Sequence, residues 1–183
     1  MTRLSPNRFR ASDCRLEHFR TVVESETNPI DYPLASTVRS GIPVYDGPEL
    51  RRRLDSDTTD DALRAEWAFV LSDGPGVLVI TAAVPPDIVD RASDAFRTII
   101  ERERQAGIQA GDHYAKPGDN DRVWNALEKL ALLDPETFVD YYSNDFVALA
   151  ASAWLGPGYQ VTSQVNVVNP GGAAQMPHRA YHL

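Results

Sequence analysis

The sequence predicts an α+β protein, because helical and strand-like hydrophobic patterns occur in different parts of the chain. Residues 86–104 place apolar side chains at a period near 3.6, which is typical of an amphipathic helix. Residues 77–84, VLVITAAV, form a short apolar run, and residues 159–168, YQVTSQVNVV, alternate with a period of two. We therefore expect several helices combined with a few strands.

The N-terminal quarter of the chain has the least regular pattern. Residues 1–47 mix charges, proline and glycine, so we expect an arm that wraps around a core built by residues 48–183. The first helices are predicted at GPELRRRL and at TTDDALRAEWAFVL, the second capped by Thr58 or Thr59. The segment SDGPG should end that helix, and VLVITAAV is then predicted to be a buried strand.

The middle of the chain is predicted to be mainly helical. The helix at 86–104 should bury one stripe of side chains: Ile88, Val89, Ala92, Ala95, Phe96, Ile99 and Ile100. The polar segment AGIQAGDHYAKPGDND should be a long loop, and such loops are often functional. Three further helices are predicted at DRVWNALEKLALL, DPETFVDYY and NDFVALAASAWL. The first should bury Val123, Trp124, Leu127 and Leu130, and Gly156 and Pro157 should close the third.

Composition limits the classes of function. A formal net charge of −8 argues against general binding to nucleic acid or to an anionic membrane, since phosphates repel such a surface. The single cysteine, Cys14, excludes an intrachain disulfide framework and a CxxC zinc site, and this fits a reducing cytoplasm. No secretory signal and no membrane-spanning run is recognisable, so we expect a cytoplasmic protein with a small-molecule partner.

The predicted last strand has two chemically different faces. One face carries Tyr159, Val161, Ser163, Val165 and Val167, and the other carries Gln160, Thr162, Gln164, Asn166 and Val168. The second face is polar but uncharged, which fits either a solvated edge strand or the lining of a pocket for a polar ligand. The pattern alone leaves both interpretations open.

The chain ends with two histidines after an NPGG turn at 169–172. His178 and His182 would lie about 13 Å apart in an extended segment, at about 3.3 Å per residue, and could not share one metal ion there. A helix would bring them together, but Pro177 makes a helix the weaker option.

These segments resemble the phytanoyl-CoA dioxygenase family. The resemblance covers roughly residues 70–183 and rests on GVLVITAAVPPDIVDRASDAF and on QVNVVNPGGAAQMPHRAYHL. Members are iron(II)- and 2-oxoglutarate-dependent oxygenases with a double-stranded β-helix, or jelly-roll, core. The resemblance thus implies helices packed on a jelly roll that is incomplete in this chain, since two or three strands can be counted here and such a core needs about eight.

The resemblance also implies roles for individual residues. His178 would be the first iron ligand, and Gln160 and Asn166 match positions that contact 2-oxoglutarate. Lys116 would be a further cosubstrate contact and His113 a substrate contact, whereas Trp124 is assigned to the core. The family's distal iron-ligating histidine, and the arginine that pairs with 2-oxoglutarate, are expected beyond residue 183.

One position departs from the family pattern in a way that affects the chemistry. The family's aspartate, two residues after the first histidine, is Ala180 here. Non-haem iron halogenases of the same superfamily carry alanine or glycine at this position and bind chloride in the vacated site. The resemblance implies a small-molecule hydroxylase, with a halogenase as one alternative. The other alternative is a catalytically incompetent fragment or a metal-free binding module.

Overall fold

The structure, a computed structural model, describes residues 14–54, 57–108 and 118–172. Within these residues it is a mixed α+β fold with two small sheets, as predicted at that coarse level. The helices are α1 (Leu16–Val23), α2 (Gly47–Arg53), α3 (Asp57–Ser72), α4 (Pro86–Gln105), α5 (Ala126–Leu133), α6 (Pro135–Tyr142) and α7 (Asp145–Leu155). The strands are β1 (Thr37–Arg39), β2 (Ile42–Asp46), β3 (Val79–Thr81), β4 (Asn120–Val123) and β5 (Val165–Val168).

The first sheet has the order β1-β2-β3 and covers one core. β2 pairs antiparallel with β1 and parallel with β3, so it is the central strand. Tyr45 of β2 packs with side chains of α2, α3 and α7 in what we call the first core. Its buried side chains are Tyr45, Leu50, Leu63, Trp67, Phe146 and Leu149. The Tyr45 ring meets Trp67 edge to face, with the ring centroids 5.6 Å apart. Burial of these large side chains holds the N-terminal strands against the helices.

The second sheet, an antiparallel β4–β5 pair, packs on a separate set of helices. α4 contacts α5, α6 and β4, and α5 contacts α6. The buried side chains of this second core are Ala92, Ala95, Phe96, Ile99, Val123, Ala126 and Leu130. Four of them come from the predicted stripe of α4, because that helix turns its period-3.6 face toward its neighbours. The helices predicted at 86–104, at DPETFVDYY and at NDFVALAASAWL are confirmed.

The segment 77–84 is not the buried strand that its composition predicts. Only Val79–Thr81 form a strand, and it lies at an edge of the first sheet. Val77 and Val79 are 49% and 42% exposed. An apolar run cannot by itself distinguish a central strand from an edge strand, because that depends on which segments pair on each side.

Two further boundaries were predicted wrongly. The helix expected from Asp121 begins at Ala126, because residues 120–123 are β4 and Asn125 adopts a left-handed conformation with φ of 54°. Val123 and Leu130 are fully buried as predicted, whereas Trp124 is only half-buried. α3 begins at Asp57, so Thr58 and Thr59 lie within the helix rather than at its cap.

The predicted division at residue 47 stays a prediction. Residues 37–46 supply two strands of the first sheet, and β2 adds the fully buried Tyr45 to the first core. Within the three described ranges, no helix is long and apolar enough to cross a lipid bilayer.

Candidate functional site

The β4–β5 sheet presents a polar outer face. Arg122 lies directly opposite Asn166, and Val123 lies opposite Val165. Directly paired residues in an antiparallel sheet point to the same side, and successive residues alternate. Since Val123 and Val165 pack on the second core, Arg122 and Asn166 point away from it.

A cation, an amide and an indole group meet on this outer face. The Arg122 guanidinium carbon lies 4.0 Å from the centre of the Trp124 ring, and the guanidinium donates a hydrogen bond to Oε1 of Gln164. Asn166, beside Arg122, is exposed. The face therefore offers N–H donors and amide oxygens of the kind that orient an anionic or polar ligand.

The predicted strand at 159–168 is observed only as β5, and this changes the position of Gln160. Gln160 is exposed and lies outside the strand, between α7 and β5. The period-two alternation that placed it on the same face as Asn166 therefore does not apply to it. Asn166 lies on the outer face, as the alternation predicted.

The segment that leads into β5 is fixed to α5 and α6 by Ser163. The backbone N–H of Ala126 donates to the carbonyl oxygen of Ser163 at 3.1 Å. The Tyr142 hydroxyl donates to Oγ of Ser163 at 2.7 Å. Burial raises the pKa of Tyr142 and outweighs the opposing hydrogen bond to Ser163, so the phenol stays a neutral donor. These bonds set where β5 begins.

Asn169 joins the turn after β5 to the residues before β4. Its backbone N–H donates to the carbonyl oxygen of Asp119 at 3.0 Å. Its side-chain Nδ2 lies 3.2 Å from both the carbonyl oxygen of Gly118 and Oδ2 of Asp121. Arg104 of α4 donates to both carboxylate oxygens of Asp121, at 2.8 and 2.6 Å. The turn is thereby fixed to α4 as well as to β4.

At Gly172 the turn after β5 approaches the residues before β4 closely. A Cβ atom at this position would lie 2.2 Å from the carbonyl oxygen of Asp119, closer than any side chain tolerates. Gly118 and Asp119 therefore lie beside the turn that ends at Gly172.

Four of the six predicted site residues lie outside the described residues: His113, Lys116, His178 and Ala180. Lys116 precedes Gly118 by two residues and His178 follows Gly172 by six. The β4–β5 pair therefore brings together the attachment points of both segments.

A metal site cannot be built from the described residues alone. Among them, no three histidine, cysteine, aspartate or glutamate side chains are grouped as a metal ion would require. The fit of iron therefore depends on His178 and on residues outside the described ranges, and no catalytic step can be assigned to it from this geometry.

Sequence reasoning missed Arg122. It assigned residues 121–133 to one helix, in which Arg122 would be a surface charge. The available signal was the alternation in NDRVW, where Asn120, Arg122 and Trp124 occupy alternate positions and would point to one face of a strand. Four residues are too few to separate that alternation from a helical pattern.

Taken together, the described residues define an α+β protein whose second sheet carries a polar face beside a turn anchored by Asn169. The profile of the family described as "Phytanoyl-CoA dioxygenase (PhyH)" matches residues 72–183, which is more than half of the chain. The chain belongs to this family, and the family points to the superfamily of iron(II)- and 2-oxoglutarate-dependent oxygenases. Searches of curated proteins and of solved structures returned no match.

Proposed function

We propose that the chain is part of an iron(II)- and 2-oxoglutarate-dependent oxygenase that hydroxylates a small molecule. The observation that carries this proposal is the family match over residues 72–183, which includes both the β4–β5 sheet and the terminal segment MPHRAYHL. In this proposal β4 and β5 are two strands of a jelly roll completed by residues beyond 183. Iron and 2-oxoglutarate, when bound, would activate dioxygen for hydroxylation.

His178 is the proposed iron ligand, with Lys116 and Asn166 as contacts to 2-oxoglutarate. Arg122 supports the cosubstrate proposal, because it places a positive charge beside Asn166 on the outer face of the sheet. A dicarboxylate is stabilised by such charge-assisted hydrogen bonds. Gln160 remains a proposed contact on the resemblance alone, and His113 a proposed substrate contact.

The hydrogen bonds of Asn169 and Asp121 have a positioning role in this proposal. They fix the turn at 169–172 to β4 and to α4, so that the segment carrying His178 starts from a defined place. Positional precision of this kind matters because misplacing a reactive group by about 1 Å can cost about 100-fold in rate.

Anaerobic titration with iron(II) and 2-oxoglutarate tests the proposal. We expect a visible charge-transfer band when both are present, measured with the complete gene product. His178→Ala should abolish the band, whereas His18→Ala, an exposed histidine on α1, should leave it unchanged. If 2-oxoglutarate does not bind the unsubstituted protein, the proposal fails and a metal-free binding module replaces it.

Ala180 favours a second candidate, a non-haem iron halogenase. Alanine at the position of the family's aspartate leaves room for chloride at the metal. Adding chloride should then shift the charge-transfer band, and the product should carry chlorine. If chloride changes nothing and Ala180→Asp gains hydroxylation, the halogenase is the wrong alternative. If neither protein forms product although iron and 2-oxoglutarate bind, the chain is a catalytically incompetent relative.

A further inference from the structure

The helices of the first core form a cleft that the proposed oxygenase chemistry does not use. It lies between α2, α3 and α7, has a volume of about 550 Å³, and is lined in part by Tyr159. That volume is within the usual range for small-molecule sites, about 300–1,000 Å³. Its described lining includes four charged residues, Arg51, Asp60, Arg64 and Asp145.

The described lining of the cleft carries charges of both signs, although the protein as a whole has a net charge of −8. Arg51 and Arg64 contribute two positive charges, and Asp60 and Asp145 contribute two negative ones. A ligand with a single charge would therefore meet repulsion from part of the lining. A ligand that carries both signs can use both sets of groups.

Asp60 supplies an acceptor that the described residues leave unsatisfied. Its Oδ1 atom is buried and has no hydrogen-bond partner among them, while Oδ2 lies 3.7 Å from Nη2 of Arg64, too far for a hydrogen bond. A buried carboxylate oxygen without a donor is costly. The Asp60 side chain is nevertheless 29% exposed, so an ammonium group in the cleft could donate to Oδ2, the carboxylate oxygen that is not buried.

Arg51 is held by two contacts outside the cleft. Its Nη2 donates to the carbonyl oxygen of Ala83 at 3.0 Å, and its guanidinium carbon lies 5.0 Å from the centre of the Phe146 ring. A guanidinium has five N–H donors in a planar fork that suits a carboxylate. Fixing the side chain in advance lowers the entropic cost of binding an anion.

The rest of the lining is apolar on one side. Leu54, Ala148 and Leu149 face the cleft without polar side-chain groups. The hydroxyl of Ser152, which also lines the cleft, donates to the backbone carbonyl of Leu149 at 2.9 Å. A ligand should therefore bury a small apolar side chain against these residues.

We propose that this cleft binds a small zwitterion with an apolar side chain, the chemistry of a free aliphatic amino acid. Its ammonium group donates to Asp60, its carboxylate pairs with Arg51, and its side chain contacts Leu54 and Ala148. The proposal does not depend on the iron site, because every residue used lies in α2, α3 or α7 or directly after α2.

L-leucine is the test probe, titrated without iron or 2-oxoglutarate and followed by isothermal calorimetry and backbone amide NMR. We expect chemical-shift changes in α2, α3 and α7 and none in the β4–β5 sheet. 3-Methylbutylamine lacks the carboxylate and 4-methylpentanoate lacks the ammonium group, and each should bind at least tenfold more weakly than leucine. Equal binding by either analogue, or shifts located elsewhere, overturns the proposal.

Matched substitutions test the two charged contacts separately. Asp60→Asn should weaken leucine binding at least tenfold, whereas Asp61→Asn, the exposed neighbour outside the cleft, should change it less than twofold. Arg51→Gln should likewise weaken binding, with Arg52→Gln as its control. Melting temperatures identify any variant that does not fold. In that case the comparison of leucine with its two analogues, made on the unsubstituted protein, tests the proposal. If each variant binds leucine as its control does, the assignment of the two contacts is wrong.

Discussion

Replacing Tyr45 with phenylalanine tests the main polar contact of the first core. Tyr45 is fully buried, and its hydroxyl donates to Oε1 of Glu66 at 2.8 Å. The other carboxylate oxygen of Glu66, itself 9% exposed, accepts from the backbone N–H of Leu34 at 3.0 Å. The bond therefore joins β2 and α3 and helps to fix the segment before β1.

The expected loss follows from the charge and burial of the acceptor. A hydrogen bond to a charged group contributes about 1.5–3 kcal/mol, and Glu66 keeps only one donor after the substitution. Tyr45→Phe should lower the free energy of unfolding by about 2 kcal/mol. For a chain of this length that corresponds to a fall in Tm of about 4–8 °C.

Urea denaturation followed by circular dichroism measures this change, and Tyr141→Phe is the matched control. Tyr141 is half-buried and packs edge to face on Phe96, but its hydroxyl makes none of the described hydrogen bonds. The control should cost less than about 0.5 kcal/mol. A double-mutant cycle with Glu66→Gln should give a coupling of at least about 1 kcal/mol. Equal losses in the two tyrosine variants would refute the reasoning.

Three other perturbations have defined outcomes. Leu130→Ala should destabilise the second core by about 2–5 kcal/mol, whereas Leu132→Ala, 78% exposed on the same helix, should be nearly neutral in urea denaturation. Asn144→Ala should cost about 1–2 kcal/mol in the same assay, because Asn144 caps α7 and also donates to Ala83; no loss would contradict that capping role. Burial and Glu66 raise the pKa of Tyr45 above its ordinary value of 10.0. The contribution of the protonated hydroxyl to the free energy of unfolding is therefore complete below about pH 10 and is lost at higher pH. The free energy of unfolding should then fall more steeply above pH 10 in the unsubstituted protein than in Tyr45→Phe; parallel pH curves would exclude this.

Local patterns predicted the helices better than the strands. The α4 stripe is visible because seven apolar positions repeat over nearly four turns, and one side of the helix buries four of them. The strands within the described ranges span only three to five residues, and their burial depends on partners far away in sequence. β3 illustrates this, since its pairing partner β2 lies more than thirty residues earlier.

The candidate site was predicted unevenly for a related reason. Asn166 could be placed because the alternation near it persists in a true strand, whereas Gln160 lies where the strand has not yet begun. Arg122 and Asn169 could not be found, because their contacts cross between segments 42 and 48 residues apart. The family resemblance, by contrast, rests on contiguous sequence motifs and does not require knowing which strands pair.

The separation of the buried side chains into two cores has a consequence for how the protein opens. The first core joins α3 and α7 with the first sheet, and the second joins α4, α5 and α6 with β4. The two clusters share no side chain, so the loss of one need not remove the contacts of the other. We expect amide hydrogen exchange to divide the chain into two cooperative units of different protection. The unit containing β4 and β5 would set how often the turn at Asn169 is released.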